Sequence, residues 1–234
     1  MRIRKNIECL TTEELHDLRE AFAGIYQLPE SNPKSFTRIA GLHGLPSPSY
    51  CNHGSTSGFL TWHRAYLLEL ENALRDIRCD VTLPFWDWKS TTNQGIPEPC
   101  KSPTYINRSG QTVDNPLYRG PIAPTAGGGF TNRRSDINTV SFADLANSAA
   151  ANQSEFNFNN YASTLNGIHG SVHIRFSGSM TSVDYAAFDP IFFFHHANVD
   201  RLWASWQNTS AGVIPTSELN ATLQPFTRPY TNSW

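Results

Sequence analysis

Long apolar runs, an excess of either charge and a dense set of cysteines are all missing from this 234-residue chain. The longest apolar stretches, such as Ile191 to Phe194, are far too short to cross a bilayer, so no membrane-spanning segment is expected. Lys and Arg total 18 against 20 Asp and Glu, a net charge of −2, which leaves no basic footprint for nucleic acid or an anionic membrane. The four cysteines, Cys9, Cys51, Cys79 and Cys100, are too few for a disulfide scaffold, and a chain of this size buries a core without one. Cys9, Cys79 and Cys100 permit at most one bridge among themselves. No Glu-x-x-His occurs, which removes a carboxylate-bridged di-iron bundle. No internal repeat is visible, and residues 1–234 are expected to form a single domain.

What is present is helical pattern separated by long connections. Thr11 and Glu14 form a capping box ahead of a helix with Leu15, Leu18 and Phe22 on one face. A second helix is expected from Pro33, with Asn32 before it, to near Gly44, which puts His43 in its last turn. Residues 44–57 are rich in Gly, Pro and Ser and predict a loop containing Cys51 and His53. From Gly58 to Arg78, apolar positions including Phe59, Trp62, Tyr66, Leu70 and Leu74 predict a long amphipathic helix that carries His63. Residues 90–135, with six prolines and the Gly127–Gly129 run, predict a long ordered loop region with short elements. Helical pattern returns at 141–151 and at 160–175, and a last helix opens at Asp189-Pro190 and runs through Gln207. The fold class expected is mainly α, a helical bundle with long irregular loops and little β structure.

Six of the eight histidines fall into two triads: His43, His53 and His63, then His169, His173 and His196. His169 and His173 are four apart, so on a helix both imidazoles project from one face. Three neutral imidazoles suit copper, zinc, iron or nickel and leave coordination positions open. A hydrolytic two-metal site would usually include bridging carboxylates. An all-imidazole donor set carries no ligand charge and favours an ion that cycles between +1 and +2. The reading is a helical bundle holding a dicopper centre, with dioxygen held between the two copper ions as bridging peroxide.

The strings that surround these histidines carry a resemblance. Gly58-Phe-Leu-Thr-Trp-His63-Arg64 with Tyr66-Leu-Leu-Glu-Leu-Glu-Asn-Ala-Leu74 resembles the first copper motif of tyrosinases, catechol oxidases and molluscan haemocyanins. Asp189-Pro-Ile-Phe-Phe-Phe-His195-His196-Ala-Asn-Val-Asp200-Arg201-Leu-Trp203 resembles the second, and Leu83-Pro-Phe-Trp-Asp87-Trp88 the stretch between them. The resemblance runs from residue 1 to about 226. It implies that His43, His53 and His63 bind one copper and His169, His173 and His196 the other, with His195 behind them. Cys51-Asn52-His53 is similar to members in which the cysteine is thioether-linked to the middle histidine; the alternative is a free buried thiol. Asp200, one turn after His196, either accepts a hydrogen bond from a ligand imidazole or pairs with an arginine. Phe192 and Phe59 are placed by the resemblance beside the metal pair. Asp87, Arg64 and Arg201 are expected to be buried charges paired across helices.

The activity implied is oxidation of o-diphenols to o-quinones by dioxygen, in a type 3 copper polyphenol oxidase. In tyrosinases, the base for monophenol hydroxylation is assigned to a water held by a Glu and by an Asn directly after the first histidine of the second triad. Here that position is Gly170, with Asn159 and Asn160 as the nearest polar candidates, so monophenol hydroxylation is expected to be weak. Gly170 leaves room for a ring, and Ile174 after His173 implies an uncharged entrance. The end of the chain soon after Phe226 implies a core domain without a C-terminal lid, open to a small phenol. A full tyrosinase is one alternative and a haemocyanin-like oxygen-binding module another. Asn-x-Ser/Thr sequons at Asn107, Asn152, Asn208 and Asn220, with the need to acquire copper, lean towards secretion, although no signal peptide is visible.

Overall fold

The computed structural model describes residues 3–47, 50–51, 58–88, 95–209, 212–220 and 223–226. Helix α1 (Thr12–Tyr26) opens with the expected capping box: Glu14 N–H donates to Thr11 Oγ1, and the Glu14 carboxylate accepts from Thr11 N–H. Its Leu18, Phe22 and Ile25 are buried against α3 (Phe59–Ile77), as the 3.6-residue period requires. Helix α6 (Pro190–Gln207) has Asp189 as N-cap and Pro190 in its first turn, as the sequence predicts. It crosses α3, and α5 (Phe158–Phe176) packs on both. Helix α4 (Ala143–Asn152) lies along α5.

The second helix is shorter than expected. Helix α2 (Phe36–Ala40) is capped by Ser35, whose Oγ accepts from Arg38 N–H at 3.1 Å. Asn32 instead turns the chain at Lys34, and His43 lies beyond the helix, in a turn after Gly41. A serine hydroxyl nearer the apolar run outcompetes the Asn-Pro pair as the start signal. Among the described residues between α3 and α4 the chain is largely irregular, with one hairpin: β1 (Thr104–Ile106) pairs antiparallel with β2 (Thr112–Asp114), Tyr105 opposite Val113.

Two connections hold this irregular region onto the helices. Trp86 N–H donates to Phe194 O at 2.9 Å, so the Leu83-Pro-Phe-Trp stretch is pinned to the first turns of α6. Arg133, 7% exposed at its side chain, donates two hydrogen bonds of 2.5 and 2.8 Å to the fully buried Asp189 carboxylate. The same carboxylate caps α6 through Ile191 N–H, so one ion pair joins the long loop to the start of the helix that carries His196. The N-terminus of α3 has no cap of its own. Gly58 has φ of 83° there, and its N–H donates to Oε2 of buried Glu218, on the short α7 (Thr216–Leu219). A carboxylate at this position also complements the helix dipole.

Cys9, Cys79 and Cys100 are free thiols in the structure, so none of them bridges another. The sequon at Asn152 is closed to modification in the folded chain, because Asn152 is buried and its amide donates to Tyr161 O. Among the described residues no helix is long and apolar enough to cross a membrane.

Candidate metal centre

Helix α5 presents His169 and His173 one turn apart, and α6 presents His196 across from them. Their three Nε2 atoms converge: 3.0 Å between His169 and His173, 3.1 Å between His169 and His196, and 3.4 Å between His173 and His196. The far nitrogens of the first two are committed, since Nδ1 of His173 faces Met180 O at 2.8 Å and Nδ1 of His169 faces Asn166 O at 3.3 Å. A carbonyl only accepts, so each Nδ1 carries the proton and each Nε2 turns a lone pair inward. Lone pairs meeting at such distances repel unless a cation sits among them. Burial pushes the pKa of His196 well below the usual imidazole value, and the neighbouring imidazoles add to the shift. The cation the cluster asks for is therefore a metal rather than a set of protons.

The second cluster faces the first. His63, in the first turns of α3, donates Nδ1–H to Phe59 O at 2.8 Å, and His43 donates to Val183 O at 3.1 Å. Cys51 Sγ lies 3.4 Å from His63 Nε2, so the sulfur stands inside the histidine group. His53 lies outside the described residues, as does any bond between it and Cys51. The His63 ring stacks on His196 at 4.3 Å between centroids and 13° between planes, which sets the two donor groups side by side.

Aromatic rings close the centre from below. Phe192, fully buried, stands 4.1 Å from His196 and 4.7 Å from His43, and Phe59 stands 4.8 and 4.9 Å from His63 and His169. His195 stacks on His169 at 5.1 Å and lies 5.2 Å from Trp88, fully buried, with neither ring nitrogen hydrogen-bonded among the described residues. Burial pushes its pKa well below the usual value, and nearby His173 adds to the shift, so it stands as a neutral ring. From outside, a cavity of about 260 Å³ reaches His43, His169 and His173 past Gly170, Ile174 and Asn166.

One short segment serves both clusters. Met180 O accepts from His173 and Val183 O from His43, three residues apart. The segment is anchored at its start, where Ser179 N–H donates to Asn132 O and Asn132 N–H to Ser179 Oγ. Gly44 lets the His43 turn approach it: a Cβ there would lie 2.4 Å from Val183 O.

Of the two partners expected for Asp200, the structure shows arginine: its carboxylate pairs with Arg64 and, at 3.0 Å, with Arg4, so it holds the back of α3 and α6. Other expectations are corrected. Arg64 is buried, but Arg201 and Asp87 are not: their side chains are 39% and 36% exposed and 3.8 Å apart. Asn159 and Asn160 point to solvent at the start of α5. The amide that reaches the cavity is Asn166, one turn before Gly170 on the same face, and the four-residue spacing was the signal that identifies it. The roles of Met180, Val183 and Asn132 rest largely on main-chain atoms, which no side-chain pattern discloses.

Residues 33–209 match the common central domain of tyrosinase. The chain belongs to the tyrosinase family. It is 34% identical over 252 residues to Hemocyanin 2 of Megathura crenulata, covering 99% of this chain but only 7% of that much longer protein. It is 27% identical to the tyrosinase of Streptomyces glaucescens, covering 97% of this chain and 93% of the relative. A tyrosinase structure from Burkholderia thailandensis superposes with a TM-score of 0.81 at 25% identity, over 97% of this chain and 68% of that one. The domain of this family binds two copper ions, and the facing histidine clusters fit the pair.

Proposed function

We propose that this tyrosinase-family domain is an o-diphenol oxidase, turning catechols into o-quinones at the expense of dioxygen. The observation that carries the reading is the cavity leading from the surface to His43, His169 and His173, with room above Gly170, where a Cβ would meet nothing within 4 Å. His43, His53 and His63 would hold one copper, and His169, His173 and His196 the other. When bound, the pair supplies a two-electron acceptor that dioxygen regenerates.

The chain's own residues position and exclude. The Nδ1–H bonds to Asn166, Met180, Val183 and Phe59 carbonyls fix four imidazoles against rotation, as partners behind a metal site do. Phe192 and Phe59 keep water from the inner side of the centre. His195, neutral and sealed under Trp88, backs His169 and does not reach substrate. At the entrance, the ring of a catechol would lie over Gly170 beside Ile174. Gly170 offers no side-chain amide to hold a deprotonating water, which supports weak hydroxylation of monophenols. Cys51 is proposed to close a thioether on His53. Its peptide would then show a mass short of two hydrogens and resist thiol alkylation after denaturation, whereas a full-mass, alkylated peptide rejects the link.

Oxygen consumption by copper-loaded protein tests the main reading. Uptake is expected to be fast with catechol and slow with the matched monophenol. Equal rates would make it a full tyrosinase, with Asn166 as the first residue to examine. No uptake with either would favour the second reading, an oxygen-binding module, for which the identity to Hemocyanin 2 speaks.

A further inference from the structure

The segments that form the cavity have an unusual composition for this chain. From Ile39 to His63 there is no Asp, Glu, Lys or Arg, and the same holds from Phe156 to Ile174 and from Phe176 to Val183. These three stretches supply all but one of the described residues that line the cavity, and the remaining one is Ala186. The rim is apolar as well as uncharged: Ile174 is 72% exposed and Val183 45%. Among the described residues, Asn166 and Thr181 are the only polar side chains lining it besides the histidines.

The ionised groups next in sequence do not line it. Arg175, beside Ile174, donates to Ser141 O and to the Asp144 carboxylate at 2.7 and 2.6 Å, on the side of α5 that faces α4. Asp184, beside Val183, is exposed at the surface. A carboxylate or ammonium on the outer end of a ring in this cavity, away from the histidines, would lose water and meet no side chain of opposite charge among the described lining residues. Such desolvation is costly, while an alkyl group would cover Ile174 and Val183.

We propose that the site selects neutral, apolar-substituted catechols and rejects those with an ionised side chain of either sign. This rests on the oxidase reading for its reaction but not for its recognition. The neutral amide of Asn166 and the hydroxyl of Thr181 are left as the polar groups that orient a second hydroxyl or an ether on the ring.

Two measurements on the copper-loaded protein test it. In the first, kcat/KM is compared for 4-methylcatechol, 3,4-dihydroxyphenylacetate and dopamine, which share a ring and differ in charge. Both ions are expected to fall by about tenfold or more, mainly through KM. In the second, equilibrium binding is compared for 4-methylresorcinol and 2,4-dihydroxyphenylacetate, whose meta hydroxyls cannot give an o-quinone. The neutral ring is expected to bind about tenfold more tightly. Ile174→Lys should then restore the anionic catechol about tenfold without helping dopamine. Equal kcat/KM across the three catechols, equal binding of the two resorcinols, or an Ile174→Lys variant indifferent to charge would overturn the proposal. Selective binding without turnover would leave it standing while the oxidase reading fell.

Discussion

The two halves of the centre are built differently. His169, His173 and His196 stand within long helices whose starts are fixed locally, by Asn157 for α5 and by Asp189 for α6. On the other side, His43 hangs in a turn beyond a five-residue helix, and His63 sits in the first turns of α3. That helix is capped by Glu218, 160 residues away in sequence. Helical periodicity pairs His169 with His173 and the packing of two long helices brings His196 to them, whereas the second set depends on a turn and on contacts from distant segments. The first half is expected to keep its shape without metal and the second to need help from elsewhere in the chain.

The largest effect should come from attacking the helical half at its anchor. Asp189→Asn keeps a capping side chain but strands the buried Arg133 guanidinium, and a loss of about 3–5 kcal/mol is expected in urea unfolding of the metal-free protein. Adding Arg133→Met should recover much of it. If the single variant unfolds like the parent, the anchor is dispensable and the contrast between the halves loses its basis.

A smaller effect is expected from Glu218→Gln, on the order of 1 kcal/mol, because it weakens only the cap and the charge at the start of α3. Its use is as a discriminator. Timed exposure to a chelator should remove one copper faster than in the parent and leave the other bound. Parallel loss of both ions would show that the halves stand or fall together.

The mildest probe is pH. His195 and His196 have folded pKa values depressed by burial, so the unfolded chain binds more protons than the folded one below its ordinary imidazole pKa. Their contribution to stability is present in full above about pH 6.5 and declines as the pH falls towards the depressed values. Metal-free protein should therefore show a lower urea midpoint at pH 5.5 than at pH 7.5. Both rings lie on α6, so the decline should reach Asp189→Asn and Glu218→Gln alike. A midpoint indifferent to pH would mean that these imidazoles take up protons in the folded chain as they do in the unfolded one.

The same contrast explains what could be read from the chain alone. Helices α1, α3, α5 and α6 are legible because each carries a 3.6-residue apolar period, to which α1 and α6 add a cap, and the fourfold spacing of His169 and His173 lies in plain view. The start of α2 was misplaced because two start signals, Asn32-Pro33 and Ser35, compete within four residues. Asp200 had two chemically equal partners in prospect, and only the packing of Arg4 and Arg64 against it decides between them. Glu218 was invisible, since nothing in a short polar segment announces that it caps a helix far upstream. Asn166 was legible in principle, as the residue one turn before Gly170.

The segment from Met180 to Val183 works as a gauge block. Its two carbonyls, held three residues apart by the peptide chain, fix one imidazole from each triad. The spacing of His43 and His173 is thereby tied to main-chain geometry. Around that spacing, the walls at Ile174, Thr181 and Val183 are free to diversify, so a change in what the cavity admits need not disturb the histidines that would hold the metal pair.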